Sequence, residues 1–285
     1  MGIRQEKTHT IVLSRKLNMT MKRFFPILLA LTLTFASACS TVPGTGRKQV
    51  NFIPLDQQMA LGSDAYTEAL DSAKVITTGP DAEMVKRIGH RVAQAAIELY
   101  PENASQFDWE FNLIDDPKMV NAWAMPGGKC AVYTGLLPVT GDENSLAIVM
   151  GHEVAHAIAE HGGERMTHQL ILSGVMLGAS YKYRDKDPEE RALILGALGA
   201  GATVGVMLPF SRDHESEADH IGLMLAAHAG YDPRAAVPLW ERMGASGQAP
   251  PEWLSTHPSS KTRIKRLNRL MPKALAIYQQ AGGEL

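Results

Sequence analysis

Apolar positions recur with helical spacing along most of this chain. They do so over residues 55–73 and again over 81–100, where Met84, Ile88, Val92, Ala95 and Ala96 form one stripe. Asp81 is expected to cap the second helix, and Pro101 to stop it. The period then changes. Phe107, Trp109, Phe111 and Leu113 alternate with other residues, the pattern of a half-buried strand. Two more short strands are expected over residues 121–124 and 129–134, joined by the turn signal Pro126-Gly127-Gly128. Helical spacing returns after Gly141-Asp142-Glu143-Asn144, where Asp142 or Asn144 can cap. Leu146, Val149 and Met150 supply that helix's buried side, and Gly162-Gly163 is expected to end it. Residues 166–181 read as a further apolar helix and 182–191 as a charged connection. Residues 192–210 carry no charge at all. Such a run could just span a bilayer. Its many Gly and Ala residues and Pro209 favour a helix buried in the body, or a loop folded over an active site. The expected fold class is α+β, mostly α-helical, with a small antiparallel sheet beside the helix that follows Gly141.

That helix carries His152-Glu153-Val154-Ala155-His156. Histidines four apart project from one helical face, one turn above the other, and can grip one zinc ion. Glu153 then sits beside the metal, placed to act as general base on a zinc-bound water. A catalytic zinc wants a third protein ligand. A layout with glycine at 159 and histidine at 162 is excluded, since Ala159 and Gly162 stand there. A layout with glutamate as third ligand needs a carboxylate from a later helix, and candidates include Glu160, Glu164, Glu189, Glu190, Glu215 and Glu217. Glu215 is the best, because Asp219 lies one turn on and can accept the second N–H of a ligating histidine. Ala218, Ile221 and Leu225 bury the neighbouring side, and Glu217 points elsewhere. His214 and His220 flank the site. His161 falls off the metal face and reads as structural or solvent-facing. Cys130 reads as a small buried thiol.

With 285 residues, 45% hydrophobic and 20% charged, the chain can bury a sizeable core, as one large domain or two small ones. Its formal net charge is -2, but residues 1–38 carry six basic residues and one acidic residue. The remainder is distinctly acidic, which argues against nucleic-acid binding. Met21-Lys22-Arg23, the apolar residues 27–35 and Ala36-Ser37-Ala38 read as a secretory signal peptide, with the true start at Met21 or Met19. Cys39 follows at once, in a segment that resembles a bacterial lipobox. Cys39 is therefore the expected lipidation site, and Ser40 after it points to the outer membrane. Residues 41–47 read as a flexible tether. The expected organisation is residues 1–38 as upstream segment and signal peptide, 39–54 as lipid-anchored tether and 55–285 as catalytic domain.

The motif His152–His156, the segment Pro209-Phe210-Ser211-Arg212 with Glu215-Ser216-Glu217-Ala218-Asp219, and Asn121-Ala122-Trp123-Ala124 before Pro126-Gly127-Gly128 together resemble the HtpX-like and CAAX-prenyl-protease-like zinc metallopeptidases, a gluzincin family. Ser255-Thr256-His257-Pro258 with Arg263 matches a late segment of the same family. The likeness covers roughly residues 39–272 and is greatest to small LoiP-like and YcaL-like outer-membrane lipoproteins. It implies one zinc per chain on His152, His156 and Glu215, catalysis by Glu153 and support from Asp219. In BepA-like relatives the histidine corresponding to His257 can reach the metal, so a gating or oxyanion role is implied for His257. Arg263 could hold substrate, though its run of basic neighbours reads more simply as a solvated helix face. BepA-like relatives add a helical-repeat module that the 28 residues after His257 do not hold. Membrane-embedded members have spanning helices, and with one ambiguous run this body is expected in the periplasm. Expected partners are unfolded or misassembled envelope proteins as substrates, the membrane through Cys39, and outer-membrane assembly factors. The edge of the strand Asn121, Ala122, Trp123, Ala124 is the expected seat for an extended peptide. The competing reading is a lipoprotein chaperone whose metal site is latent.

Overall fold

A computed structural model describes residues 39–245, 257 and 261–284. The signal peptide, Ser255, Thr256 and Pro258 lie outside the described residues. Strands β1 (Cys39–Thr41) and β2 (Lys48–Val50) form an antiparallel ribbon. Helix α1 (Leu55–Asp71), strand β3 (Val75–Ile76) and helix α2 (Pro80–Leu99) follow. Then come strands β4 (Glu110–Ile114), β5 (Ala122–Met125) and β6 (Lys129–Tyr133), and helix α3 (Glu143–Ile158), which bears the histidine motif. Helix α4 (His161–Lys182) leads outward. Helix α5 (Pro188–Ala202), a π-helical turn (Thr203–Met207) and helix α6 (Leu208–His228) lead back. Helices α7 (Ala236–Ala245) and α8 (Lys261–Gln280) complete the body.

The four-stranded sheet has the order β3-β4-β6-β5. It is mixed rather than wholly antiparallel. The β5–β6 hairpin turns at Gly127 and Gly128, both at positive φ, a conformation glycine adopts without penalty. That hairpin lays β6 parallel to β4, with Phe111 opposite Cys130. Phe111, Leu113, Cys130 and Val132 face the core. Every residue from Ser145 to Ile158 of α3 is buried, as suits a helix apolar nearly all round. Its two glycine contacts explain its central place. A Cβ on Gly222 would meet His152 N at 2.7 Å, and one on Gly151 would meet Gly222 O at 2.6 Å. α3 and α6 therefore touch backbone to backbone at this crossing.

Several expectations are corrected. Asp81 does not cap α2. Gly79, at φ 102, does so ahead of Pro80, and Asp81 lies in the first turn, where its charge still favours the helix end. Gly162 and Gly163 do not end α3. The helix stops at Ile158, Glu160 takes the left-handed φ of 55, and both glycines lie inside α4. Residues 41–47 are not a loose tether, because the ribbon buries Val42 and Gln49 against the body. Residues 192–210 are neither a buried helix nor a loop. They belong to a projecting helical hairpin, and no residue from 168 to 213 is buried.

Candidate metal centre

Asp142 starts α3, its carboxylate accepting the Ser145 backbone N–H at 2.7 Å. Ten residues on, His152 Nε2 lies 3.1 Å from His156 Nε2. α6, brought close by the glycine crossing, adds Glu215, with oxygens 3.3 Å from His152 Nε2 and 3.4 Å from His156 Nε2. His257 Nδ1 completes the group, 3.1 Å from His152 Nε2 and 2.9 and 3.0 Å from the Glu215 oxygens. These separations suit the edges of a tetrahedron, which are about 3.3 Å for metal–ligand bonds of about 2.0–2.1 Å. All four donors lie within 4.8 Å of one another. Two imidazole nitrogens and a carboxylate converging on one point are the donor set of a divalent metal. The residues present fit the group.

Charge in the site follows the same logic. Burial disfavours the Glu215 carboxylate, but hydrogen bonds from His152, His156 and His257 outweigh it and hold the group far below the usual range. Burial pushes His156 well down, toward the neutral form a metal ligand needs. Burial and Arg263 oppose a charge on His152, yet Asp219 and Glu215 prevail and push it up to about 9.

Each histidine is held from behind. His152 Nδ1 lies 3.2 Å from Asp219 Oδ1, the partner expected from the sequence. Asp219 in turn accepts from Arg263 Nη2 at 2.6 Å and Nε at 3.0 Å. Arg263 is therefore not on a solvated face. It is buried, donates to Glu215 at 3.2 Å, and lies 3.3 Å from the Trp240 ring centroid. His156 is backed differently. Its Nδ1 is 2.8 Å from His161 Nδ1, and His161 Nε2 is 3.1 Å from Glu217 Oε2. His161 is fully buried, not solvent-facing, and Glu217 points into this chain of contacts.

The chain continues to the ribbon. Arg47 donates to Glu217 at 2.9 Å and to both oxygens of Glu164 at 2.8 and 2.6 Å. Thr45 donates to Glu217 at 2.7 Å, and His214 Nε2 lies 2.8 Å from Glu164. Burial raises Glu164, but Arg47 and His214 pull it down to about 2. One sequence signal points to this network: Arg47 is the one charged residue in the segment 41–47. The left-handed turn at Glu160, which swings His161 back under His156, shows only in the structure.

A cleft of about 520 Å³ opens beside the metal centre, between β5 and the base of the hairpin. Asn121, Ala122, Trp123 and Ala124 line it, facing Met207, Leu208 and Phe210. β5 pairs with β6 alone among the described residues. Glu153 is buried at the floor, with Oε1 3.6 Å from His257 Nε2. Cys130 is buried, its thiol pushed well up by desolvation, and Cys39 is exposed on β1.

Comparison with known proteins agrees with this geometry. The profile of peptidase family M48 matches residues 81–271. The chain is 35% identical over 239 residues to the mitochondrial metalloendopeptidase OMA1 of Schizosaccharomyces pombe, covering 82% of this chain and 66% of that one. It is 38% identical over 248 residues to human OMA1, covering 83% and 47%. It is 27% identical over 248 residues to the β-barrel assembly-enhancing protease of Escherichia coli, covering 84% and 49%. It thus spans from about half to two thirds of the length of these relatives. From its profile match and the ligand geometry on α3 and α6, the chain belongs to peptidase family M48.

Proposed function

We propose that this protein is a zinc-dependent metalloendopeptidase that hydrolyses unfolded or misassembled cell-envelope proteins. The observation that carries it is the convergence of His152, His156 and Glu215 beside buried Glu153, next to a cleft walled by a strand edge that pairs with nothing among the described residues. Zinc, when bound, supplies Lewis acidity toward the scissile carbonyl and an attacking water. Glu153 takes the water's proton and passes it to the leaving amide nitrogen. Asp219 and Arg263 fix the ring of His152. An extended substrate adds its main chain to β5, a mode that tolerates many side chains and suits quality control.

His257 holds the position that an attacking water needs. It acts as a resting latch and leaves when substrate enters. Glu153→Gln should lower casein cleavage by about 10²–10⁴-fold while one zinc per chain is retained. Undiminished cleavage would refute the reading. His257→Ala should raise cleavage. If that variant stays inert with full zinc, a lipoprotein chaperone with a latent site becomes the better account.

We also propose that the protein is exported and anchored in the outer membrane as a lipoprotein through Cys39, like the small lipoprotein members of the family. The exposure of Cys39 supports it. The name of the E. coli relative, a β-barrel assembly-enhancing protease, supports a link to assembly factors. Metabolic labelling with a radioactive fatty acid tests the anchor, with Cys39→Ala expected to abolish the label.

A further inference from the structure

The match to the family profile begins at residue 81, yet two side chains well before it reach the support of a metal ligand. Between β1 and β2 the chain turns at Pro43-Gly44-Thr45-Gly46, with both glycines at positive φ. The Val42 N–H donates to the Arg47 carbonyl at 2.8 Å and closes the turn. This turn is seated tightly on the body. Val42 is buried, and a Cβ on Gly44 would meet Tyr100 Oη at 2.7 Å and Ile221 of α6 at 3.4 Å. Beyond β2 the chain is tied to α4 and the turn before it. Asn51 donates to Glu160 at 3.1 Å, and the Phe52 N–H donates to Thr167 Oγ1 at 3.0 Å. The turn is therefore a fixed mount for the side chains of Thr45 and Arg47.

Those side chains close on Glu217. Its Oε1 accepts from Thr45, and its Oε2 accepts from both Arg47 Nε and His161 Nε2. Glu217 is 6% exposed and Glu164 1%, and Arg47 is the arginine or lysine that pairs with each of them among the described residues. A buried carboxylate that loses its cation is left uncompensated. Glu217 would then turn away or take up a proton, and either change removes the acceptor that orients His161. His156 would lose its own backing in turn. We propose that Thr45 and Arg47 are positioning residues for the catalytic metal: by clamping Glu217 against His161 they fix the ring of His156, so that metal affinity depends on the docked N-terminal ribbon. The inference rests on the proposed zinc site at His152, His156 and Glu215.

The test measures zinc affinity of the full chain by competition with a chromophoric chelator, and the urea midpoint of each variant beside it. Loss of a ligating histidine's direct support costs about 10–100-fold, so Arg47→Ala, one residue further out, should cost about tenfold and Thr45→Val about threefold. Val42→Ala loosens the packing of the same ribbon and takes no hydrogen bond from Glu217. It should lower the urea midpoint and leave zinc affinity unchanged. Residues acting in series are not additive, so in a His161→Ala background Arg47→Ala should weaken zinc by less than about twofold further. Should Arg47→Ala fail to fold, Thr45→Val takes its place in both comparisons. Wild-type zinc affinity in Arg47→Ala and Thr45→Val overturns the proposal. So do fully additive losses with His161→Ala, or a Val42→Ala loss as large as that of Arg47→Ala. A wild type that binds no zinc overturns the reading of the metal site itself, and the proposal with it, so the two failures are told apart by the wild type alone.

Discussion

His156 can offer Nε2 to a metal only if its proton resides on Nδ1. His161 Nδ1, 2.8 Å away, accepts that proton when its own Nε2–H is donated to Glu217. One imidazole and a carboxylate thus do for His156 what Asp219 with Arg263 does for His152, and both arrangements fix ring and tautomer. His161→Ala should weaken zinc binding by about 10–100-fold, the usual effect of losing such support. Competition against a chromophoric chelator measures this, and an unchanged affinity would leave His161 a packing residue. Arg263 is equally specific. It forks onto Asp219 and stacks on Trp240, so lysine cannot replace it. Arg263→Lys should lower zinc affinity, where an electrostatic role alone would be preserved. The histidine motif and Glu215 were legible from side-chain type and spacing. His161 was not, because five residues of helix would carry it off the metal face. The left-handed turn at Glu160 breaks that helix first.

α3 and α6 can bring His152 beside Glu215 and Asp219 only because Gly151 and Gly222 let their backbones touch. Gly222→Ala should destabilise the protein by about 1–3 kcal/mol through overpacking, seen as a lower urea midpoint. Gly174 on the projecting hairpin has nothing within 4 Å of where a Cβ would sit. Gly174→Ala should instead be stabilising by about 0.5–1 kcal/mol, the helix preference for alanine. The ribbon adds a pH-dependent clamp. Glu164 is held down to about 2 in the fold by Arg47 and His214, from an ordinary value of 4.5. A depressed carboxylate contributes stability that is fully present above the unfolded value and is lost as pH falls through the folded one. Its contribution, about 3 kcal/mol at neutral pH, should fade between pH 4.5 and 2. The stability gap between wild type and Glu164→Gln should therefore be large at pH 7 and vanish near pH 2. The hairpin β5–β6 was legible from Pro126-Gly127-Gly128. The parallel pairing of β6 with β4 was not, because strand order depends on contacts distant in sequence.

Across the whole molecule the metal donors come from three separate segments, α3, α6 and the stretch at His257. Filling the site ties these segments together, so ligand binding to the folded state alone should stabilise it, by about 2.7 kcal/mol at a hundredfold excess over Kd. Chelation should lower the thermal midpoint of the wild type and leave that of His152→Ala unmoved. A wild type insensitive to chelator would show that the donors do not share one ion. The sequence by itself determined the helix-dominated fold class and the strand before the motif helix, and singled out His152, Glu153, His156 and Glu215 as candidates, of which His152, His156 and Glu215 converge in the structure. Those follow from local periodicity and from what each side chain can bind. Only the tertiary structure decided how the ribbon, His161, Glu217 and Arg263 join the site, and that the uncharged run 192–210 stands exposed. Packing decides such matters, because burial depends on which surfaces the rest of the chain can supply. For residues 192–210 it supplies too little to bury any of them.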